Sequence, residues 1–93
     1  MNRTTLKTTL RNLAQNHCLI LSTHCKRRME KRNVTSEDIL HVLMWGDLSE
    51  IQKQNENQEI KCKLTGKDIE GDRLTLQVAV CEKNNSVICI TVY

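Results

Sequence analysis

The sequence predicts an α+β fold, with N-terminal helices packed on one face of a three- to four-stranded antiparallel meander. Apolar residues recur at helical spacing in the first half of the chain and alternate with polar residues in the second half. Proline is absent, and no low-complexity linker separates the two halves. The 93 residues therefore fit a single domain, 1–93, and the length excludes a large enzyme.

The first predicted helix spans residues 4–16. Its apolar residues fall on one stripe when they are spaced at about 100° per residue, as in a helix that packs on a core. They are Leu6, Leu10, Leu13 and Ala14. A second helix is expected from a cap at Ser22 or Thr23 to about Arg32, because Asn33 suits the left-handed residue that ends a helix.

A third helix is predicted between Thr35 and Gly46. Thr35 or Ser36 can accept a hydrogen bond from the first turn and cap the helix. Glu37 and Asp38 lie in that turn, where carboxylates favour the positive end of the helix dipole. Glycine at position 46 is suited to end the helix.

Up to four strands are predicted after the third helix. Their bounds are residues 48–52, 59–67, 73–81 and 87–93. Consecutive antiparallel pairing would make them a meander that the helices cover on one face. Strand 59–67 has a basic side, because Lys61 and Lys63 alternate with apolar residues.

The register of the last hairpin has two alternatives. A loop of two residues would place Thr91 and Tyr93 beside the apolar side of strand 73–81. A loop of three or five residues would instead place a wholly apolar set there: Ile88, Ile90 and Val92. We expect the second register, because it buries one consistent set. The opposite face would then be polar and would carry Thr75, Gln77, Thr91 and Tyr93.

Charge is segregated along the chain. Residues 1–32 hold eight Lys and Arg and one acid, whereas residues 33–93 hold six Lys and Arg and ten acids. Such segregation indicates one face that can hold a polyanion, although a solvated helix face is the alternative. Because Trp45 and Tyr93 are the only aromatic residues, base stacking is not expected as the main mode of binding single strands.

The composition also predicts the compartment and the absence of cofactors. Five cysteines without a CxxC pair are typical neither of a disulfide framework nor of a zinc site, so we expect reduced thiols, no metal and no small-molecule cofactor. No apolar run approaches the ~20 residues of a membrane span, and the N-terminus does not resemble a secretion signal. A cytoplasmic chain without a membrane partner is expected.

His24 and Arg28 are the first candidate functional pair. They lie one helical turn apart at the edge of the apolar face of the second helix, where side chains are held in place. A guanidinium there can clamp a phosphate, and an imidazole titrates near neutral pH. The alternative is structural: Arg28 and Arg32 would pair with acids, and His24 would bond a carbonyl.

A second candidate cluster lies on the polar side of the sheet. It consists of Lys61, Lys63, Lys67, Arg73, Gln77, Thr91 and Tyr93. Cations and a phenol on an open sheet face can hold a phosphodiester and move protons. The alternative is that Lys61 and Lys63 are only the solvated side of an amphipathic strand.

Four stretches of the chain resemble a bacterial family of small domains of unknown function. They are HCKRRMEKR at 24–32, VTSEDILHVLMWG at 34–46, KLTGKD at 63–68 and VICITVY at 87–93. That family is similar to the RelE/ParE type of toxin from toxin–antitoxin pairs. The resemblance covers about residues 19–93 and leaves residues 1–18 as an N-terminal helical extension.

The resemblance implies a RelE-like fold and a type II toxin that acts as a metal-independent mRNA endoribonuclease. Its partners would be RNA or the ribosome and a cognate antitoxin protein. The ribose 2′-hydroxyl would attack the adjacent phosphate, with His24 or Tyr93 as the proton carrier and with Arg28 and Arg73 stabilising the phosphorane. The expected RNA-binding residues are Arg32, Lys61, Lys63, Lys67 and Thr91. The alternative is a non-enzymatic binding module, either a gyrase inhibitor or a partner-binding domain.

Overall fold

The computed structural model describes residues 2–52 and 59–93. The helices in this part of the chain are α1 (Arg3–Gln15), α2 (Thr23–Arg32) and α3 (Ser36–Trp45). The strands are β1 (Leu19–Leu21), β2 (Asp47–Ile51), β3 (Glu59–Lys67), β4 (Arg73–Cys81) and β5 (Ser86–Val92). The predicted α+β class is confirmed, and the predicted bounds of strands 59–67 and 73–81 agree with β3 and β4.

The sheet is mixed, with the order β1-β5-β4-β3-β2. Strands β2 to β5 pair antiparallel, but β1 runs parallel to β5. The expectation of a purely antiparallel meander of three to four strands is therefore wrong. The missed strand has only three residues, Leu-Ile-Leu, and so few apolar residues show neither the alternation of a strand nor the period of a helix.

The helix ends form where the sequence predicts them. The Ser22 side chain accepts a hydrogen bond from the Cys25 N–H, and α2 ends at Asn33, which is left-handed with φ 57°. The Thr35 side chain accepts from the Asp38 N–H, and the Asp38 carboxylate accepts from the Thr35 N–H in return. Both residues of this capping box are close in sequence, which is why a local pattern identifies it.

The core lies between the sheet and the helices α1 and α3. Apolar side chains of α1, α3 and strands β2 to β5, together with Cys25 of α2, form one buried cluster. Cys25, Cys62 and Cys89 are fully buried in it, and all five cysteines are free. Burial raises the pKa of the Cys62 thiol to about 11, so this side chain stays neutral and packs as a small apolar group.

The β4–β5 hairpin has neither of the two predicted registers throughout. Its pairs are Val80 with Val87, Val78 with Cys89, Gln77 with Thr91, and Leu76 with Val92. Ile90 is an extra residue, a β-bulge, and it shifts the register between the two halves of the hairpin. Thr91 and Tyr93 therefore lie on the polar face as predicted, whereas the expectation that Ile88 and Ile90 face the core is wrong. Alternation alone does not reveal an inserted residue.

Cations of α1 bind the end of α3 and the start of β2. The contacts are Arg3 to the Leu48 carbonyl, Lys7 to the Asp47 carboxylate at 3.6 Å, and Arg11 Nε to the Met44 carbonyl at 3.0 Å. These cations occupy one side of the helix at a spacing of four residues. Part of the positive charge of residues 1–32 therefore has a structural partner.

Asp38 connects the start of α3 to the turn between β3 and β4. Its carboxylate accepts from the backbone N–H of Thr35 at 2.9 Å and from that of Ile69 at 3.1 Å. Burial alone would raise the pKa of Asp38, but the hydrogen bonds from Thr35 and Ile69 and the charge of His41 outweigh it and hold this pKa below its usual value. The charged form is therefore the one that the fold stabilises.

Replacing Asp38 with asparagine should lower the free energy of unfolding by about 1–2 kcal/mol near neutral pH, because an amide NH₂ would replace one of two oxygens that face N–H donors. A lowered pKa in the folded state stabilises the protein above the unfolded value of about 3.9, and this contribution is lost as the pH falls through the lower folded value. Urea denaturation across this range measures both effects. The difference in the free energy of unfolding between wild type and D38N should become smaller in acid. A difference that stays constant would contradict a lowered pKa of Asp38 in the folded state.

Candidate functional site

A groove of about 530 Å³ crosses the face of the sheet that points away from α1 and α3. It is lined by Arg32, Ser49, Lys63, Thr65, Arg73, Thr75 and Tyr93. We call it the sheet groove. Its residues on β3 and β4 alternate with Leu64, Leu74 and Leu76, which are buried on the opposite face. Strand alternation therefore places this polar set on one side of the sheet.

The register of three neighbouring strands sets the floor of the sheet groove. Thr65 lies opposite Thr75, and their hydroxyl oxygens are 3.2 Å apart. Thr75 and Tyr93 exchange two backbone hydrogen bonds, of 2.8 and 2.9 Å, so Tyr93 extends the pairing of β5 by one residue. This pairing places Tyr93 next to Thr75, and all three residues line the groove.

Lys63 is a fixed positive charge beside Tyr93. Its Nζ lies 5.7 Å from the centroid of the Tyr93 ring and 3.8 Å from the Glu50 carboxylate. The neighbouring Tyr93 side chain and then the charge of Glu50 raise the pKa of Lys63. The amine therefore stays protonated near neutral pH, where it can stabilise an anion but cannot act as a base.

Two arginines complete the positive charge of the sheet groove. Arg73 begins β4, Arg32 ends α2, and both side chains are exposed. The lining residues include these two guanidiniums and the Lys63 ammonium but no Asp or Glu side chain. An anion that enters the groove would meet three cations from three different elements.

Helix α2 lies along the edge of β5 beyond the end of β1. The Ser22 hydroxyl donates to the Ile90 carbonyl at 2.9 Å, and Arg28 Nε donates to the Val92 carbonyl at 3.3 Å. These bonds satisfy carbonyls of β5 that no strand pairs among the described residues. Arg28 is half-buried and holds the strand that carries Tyr93.

The structure brings together four of the predicted site residues and leaves five outside the lining of the sheet groove. Those that line it are Arg32, Lys63, Arg73 and Tyr93; those outside it are His24, Arg28, Lys61, Lys67 and Thr91. His24 is exposed in the first turn of α2, whereas Arg32, in its last turn, reaches the groove. Within residues 2–52 and 59–93, no carboxylate lies within ion-pair distance of Arg28 or Arg32.

The other predicted residues lie on or beside the same sheet. Lys61 and Thr91 are half-buried on β3 and β5, and Thr91 faces Gln77. Lys67 is exposed at the end of β3, where its carbonyl accepts from His41 Nδ1 at 2.7 Å. These side chains can extend a binding surface but do not line the groove itself.

Three lining residues were not predicted as site residues. Thr65 and Thr75 share the alternation of Lys63 and Arg73, so the sequence held the signal that would have found them. Ser49 is the extra residue of a β-bulge in β2 and its hydroxyl donates to the Lys63 carbonyl at 3.1 Å. Nothing in the local sequence marks that bulge.

Residues 21–93 match the family described as Domain of unknown function (DUF4258). The chain belongs to this family. The DUF4258 match agrees with the resemblance to a family of small domains of unknown function, and it includes every residue that lines the sheet groove. Helix α1 lies outside the matched DUF4258 region. No curated protein and no solved structure matches the chain.

Two further properties of the described residues bear on the site. Within residues 2–52 and 59–93, no three His, Cys, Asp or Glu side chains lie close enough together to hold a metal ion. In the same part of the chain, no helix has the length and hydropathy to cross a membrane.

Proposed function

We propose that this chain is the toxin of a toxin–antitoxin pair and that it cleaves mRNA at the sheet groove without a metal. The observation that carries the proposal is the meeting of Arg32, Lys63, Arg73 and the Tyr93 hydroxyl on an open sheet face. The resemblance to RelE/ParE toxins supports it, as do the helices packed on one side of the antiparallel strands β2 to β5. On this basis the fold is also proposed to be RelE-like.

The proposed reaction is attack of a ribose 2′-hydroxyl on the adjacent phosphate. A P–O bond to the 2′-oxygen forms, the P–O bond to the 5′-oxygen breaks, and one proton passes from the 2′-hydroxyl to the departing oxygen. The products are a 2′,3′-cyclic phosphate and a 5′-hydroxyl. Arg32, Lys63 and Arg73 would stabilise the extra negative charge of the phosphorane, because preformed cations need no reorganisation as that charge develops.

Tyr93 is the proposed proton carrier. It is the one lining residue of the sheet groove with a phenol, and Lys63 beside it stays protonated. The two predicted proton carriers were His24 and Tyr93, and the geometry favours Tyr93 because His24 does not line the groove. Arg28 becomes a positioning residue, since it holds the Val92 carbonyl next to Tyr93.

The proposal is tested by RNA cleavage in the presence of a metal chelator. Purified protein should cut mRNA, free or on translating ribosomes, and leave cyclic phosphate ends. Expression without the antitoxin should stop growth. Intact RNA in both settings together with normal growth would rule the proposal out.

A second candidate function is a non-enzymatic binding module that holds an anionic partner, such as a gyrase-inhibitor-like or partner-binding domain. The favouring observation is that Lys63 is held in its charged form, so Tyr93 is left as the single proton carrier among the lining residues. In this case charge substitutions in the groove would weaken partner binding, and no cleavage would be found for any variant.

A further inference from the structure

We propose that Glu50 is an internal competitor for Lys63, whose ammonium it occupies in the free protein and releases when an RNA phosphate enters the sheet groove. The inference rests on the proposed binding of RNA at this groove and adds a control on its affinity. Glu50 does not line the groove, but its carboxylate is the acid that pairs with one of the three cations there.

A β-bulge places the carboxylate beside this lysine. Leu48 pairs with Leu64, so in an uninterrupted antiparallel ladder the next residue, Ser49, would face Lys63. The register instead shifts by one residue, and Glu50 becomes the partner of Lys63. Ser49 takes up the inserted position and its hydroxyl donates to the Lys63 carbonyl at 3.1 Å. Bulges often redirect a side chain beside a functional site, and here the redirected side chain is an acid.

The ion pair is arranged so that a ligand can break it. Its two charged atoms are 3.8 Å apart, and the side chains of Glu50 and Lys63 are 55% and 33% exposed. Pairs with this exposure contribute little to stability, since both charges remain hydrated. A phosphate that approaches Lys63 would be repelled by the carboxylate until the carboxylate moves away. Binding is therefore weaker than the three cations alone would make it.

The exchange also favours one class of ligand. An isolated phosphate that binds Lys63 must replace the Glu50 carboxylate, so it substitutes one anion for another and gains little. A strand with several phosphates can contact Arg32 and Arg73 at the same time, and these arginines have no carboxylate within ion-pair distance in the described part of the chain. Glu50 should thus suppress binding of single anions more than binding of a polynucleotide.

The test compares wild type with Glu50→Gln for binding an uncleavable 2′-O-methyl oligoribonucleotide, followed by fluorescence anisotropy over a series of salt concentrations. E50Q should bind about three- to tenfold more tightly, because the competing charge is gone. The slope of log affinity against log salt should steepen by about 0.7, the value for one more phosphate contact on a single strand. The affinity for inorganic phosphate should increase in E50Q by at least the same factor as the affinity for the oligonucleotide.

Glu82→Gln is the matched control. Glu82 is an exposed acid in the turn after β4, at the opposite end of that strand from Arg73, and the substitution makes the same change in net charge. Its effect should stay below about twofold, because salt screens charges beyond ~10 Å. When Lys63 is replaced with alanine, E50Q should increase the affinity for the oligonucleotide no more than E82Q does. This comparison shows whether the effect of Glu50 depends on Lys63.

The outcomes separate this inference from the proposed function. Oligonucleotide binding in which E50Q is no tighter than E82Q overturns the role of Glu50 and leaves RNA binding intact. Failure of wild type and E50Q alike to bind at low salt overturns both RNA binding and the inference. If E50Q binds the oligonucleotide more tightly but wild type does not cleave RNA, the role of Glu50 is supported and only the proposed nuclease activity is overturned.

Discussion

Replacing Tyr93 with phenylalanine should slow RNA cleavage by about 100-fold or more, the usual contribution of one proton-transfer group. Only the hydroxyl is lost. The ring that lies 5.7 Å from Lys63 Nζ remains, as do the two backbone hydrogen bonds with Thr75. The affinity for an uncleavable oligonucleotide should therefore change by less than about twofold. Single-turnover cleavage at saturating protein measures the chemical step apart from binding.

His24→Ala is the informative comparison for this experiment, because His24 was the other predicted proton carrier. Its side chain is exposed in the first turn of α2 and does not line the sheet groove, so its loss should change the cleavage rate by less than about threefold. Cleavage that survives in Y93F and disappears in H24A would transfer the proton-carrier role to the histidine. If both variants cleave RNA at the wild-type rate, neither Tyr93 nor His24 is the proton carrier.

Replacing Gly46 with alanine should destabilise the fold by about 2–3 kcal/mol, which is large for a single methyl group. The added Cβ would lie 2.6 Å from the Val42 carbonyl oxygen, 2.9 Å from Val42 Cγ1 and 3.1 Å from the Thr65 carbonyl oxygen. Two of these atoms belong to the backbone and cannot rotate away. The end of α3 would have to move off β3, the strand that carries Lys63 and Thr65.

Chemical denaturation of G46A measures this effect, and Asn12→Ala is the control. Asn12 has an exposed side chain in the middle of α1, where alanine should change stability by less than about 0.5 kcal/mol. A G46A protein as stable as N12A would mean that α3 and β3 are not packed this closely. The added methyl group would also displace β3, which carries Lys63 and Thr65. G46A is therefore expected to lower the affinity of the sheet groove for RNA as well.

The parts of the fold that the sequence predicted are those encoded locally. Ser22, Asn33 and Thr35 each end or begin a helix through contacts within a few residues, so their identity and position are sufficient. The bulges at Ser49 and Ile90 and the parallel strand β1 depend on how distant strands align. No pattern within one strand specifies those alignments.

The same distinction explains which of the predicted site residues line the sheet groove. Lys63 and Arg73 share a face because strand alternation is regular, and both line the groove. His24 was chosen from its place on the edge of a helix, but a helical wheel does not reveal which turn meets the sheet. Because α2 lies along the edge of β5, its last turn, with Arg32, reaches the groove.

RNA is proposed to bind in the sheet groove. Amide chemical shifts of labelled protein, recorded while an uncleavable oligoribonucleotide is added, locate the binding surface. The largest shifts are expected at the neighbouring groove residues Lys63, Thr65, Thr75 and Tyr93, with α1 unchanged. Shifts confined to α1 or to the first turn of α2, with the groove residues unmoved, would contradict the claim.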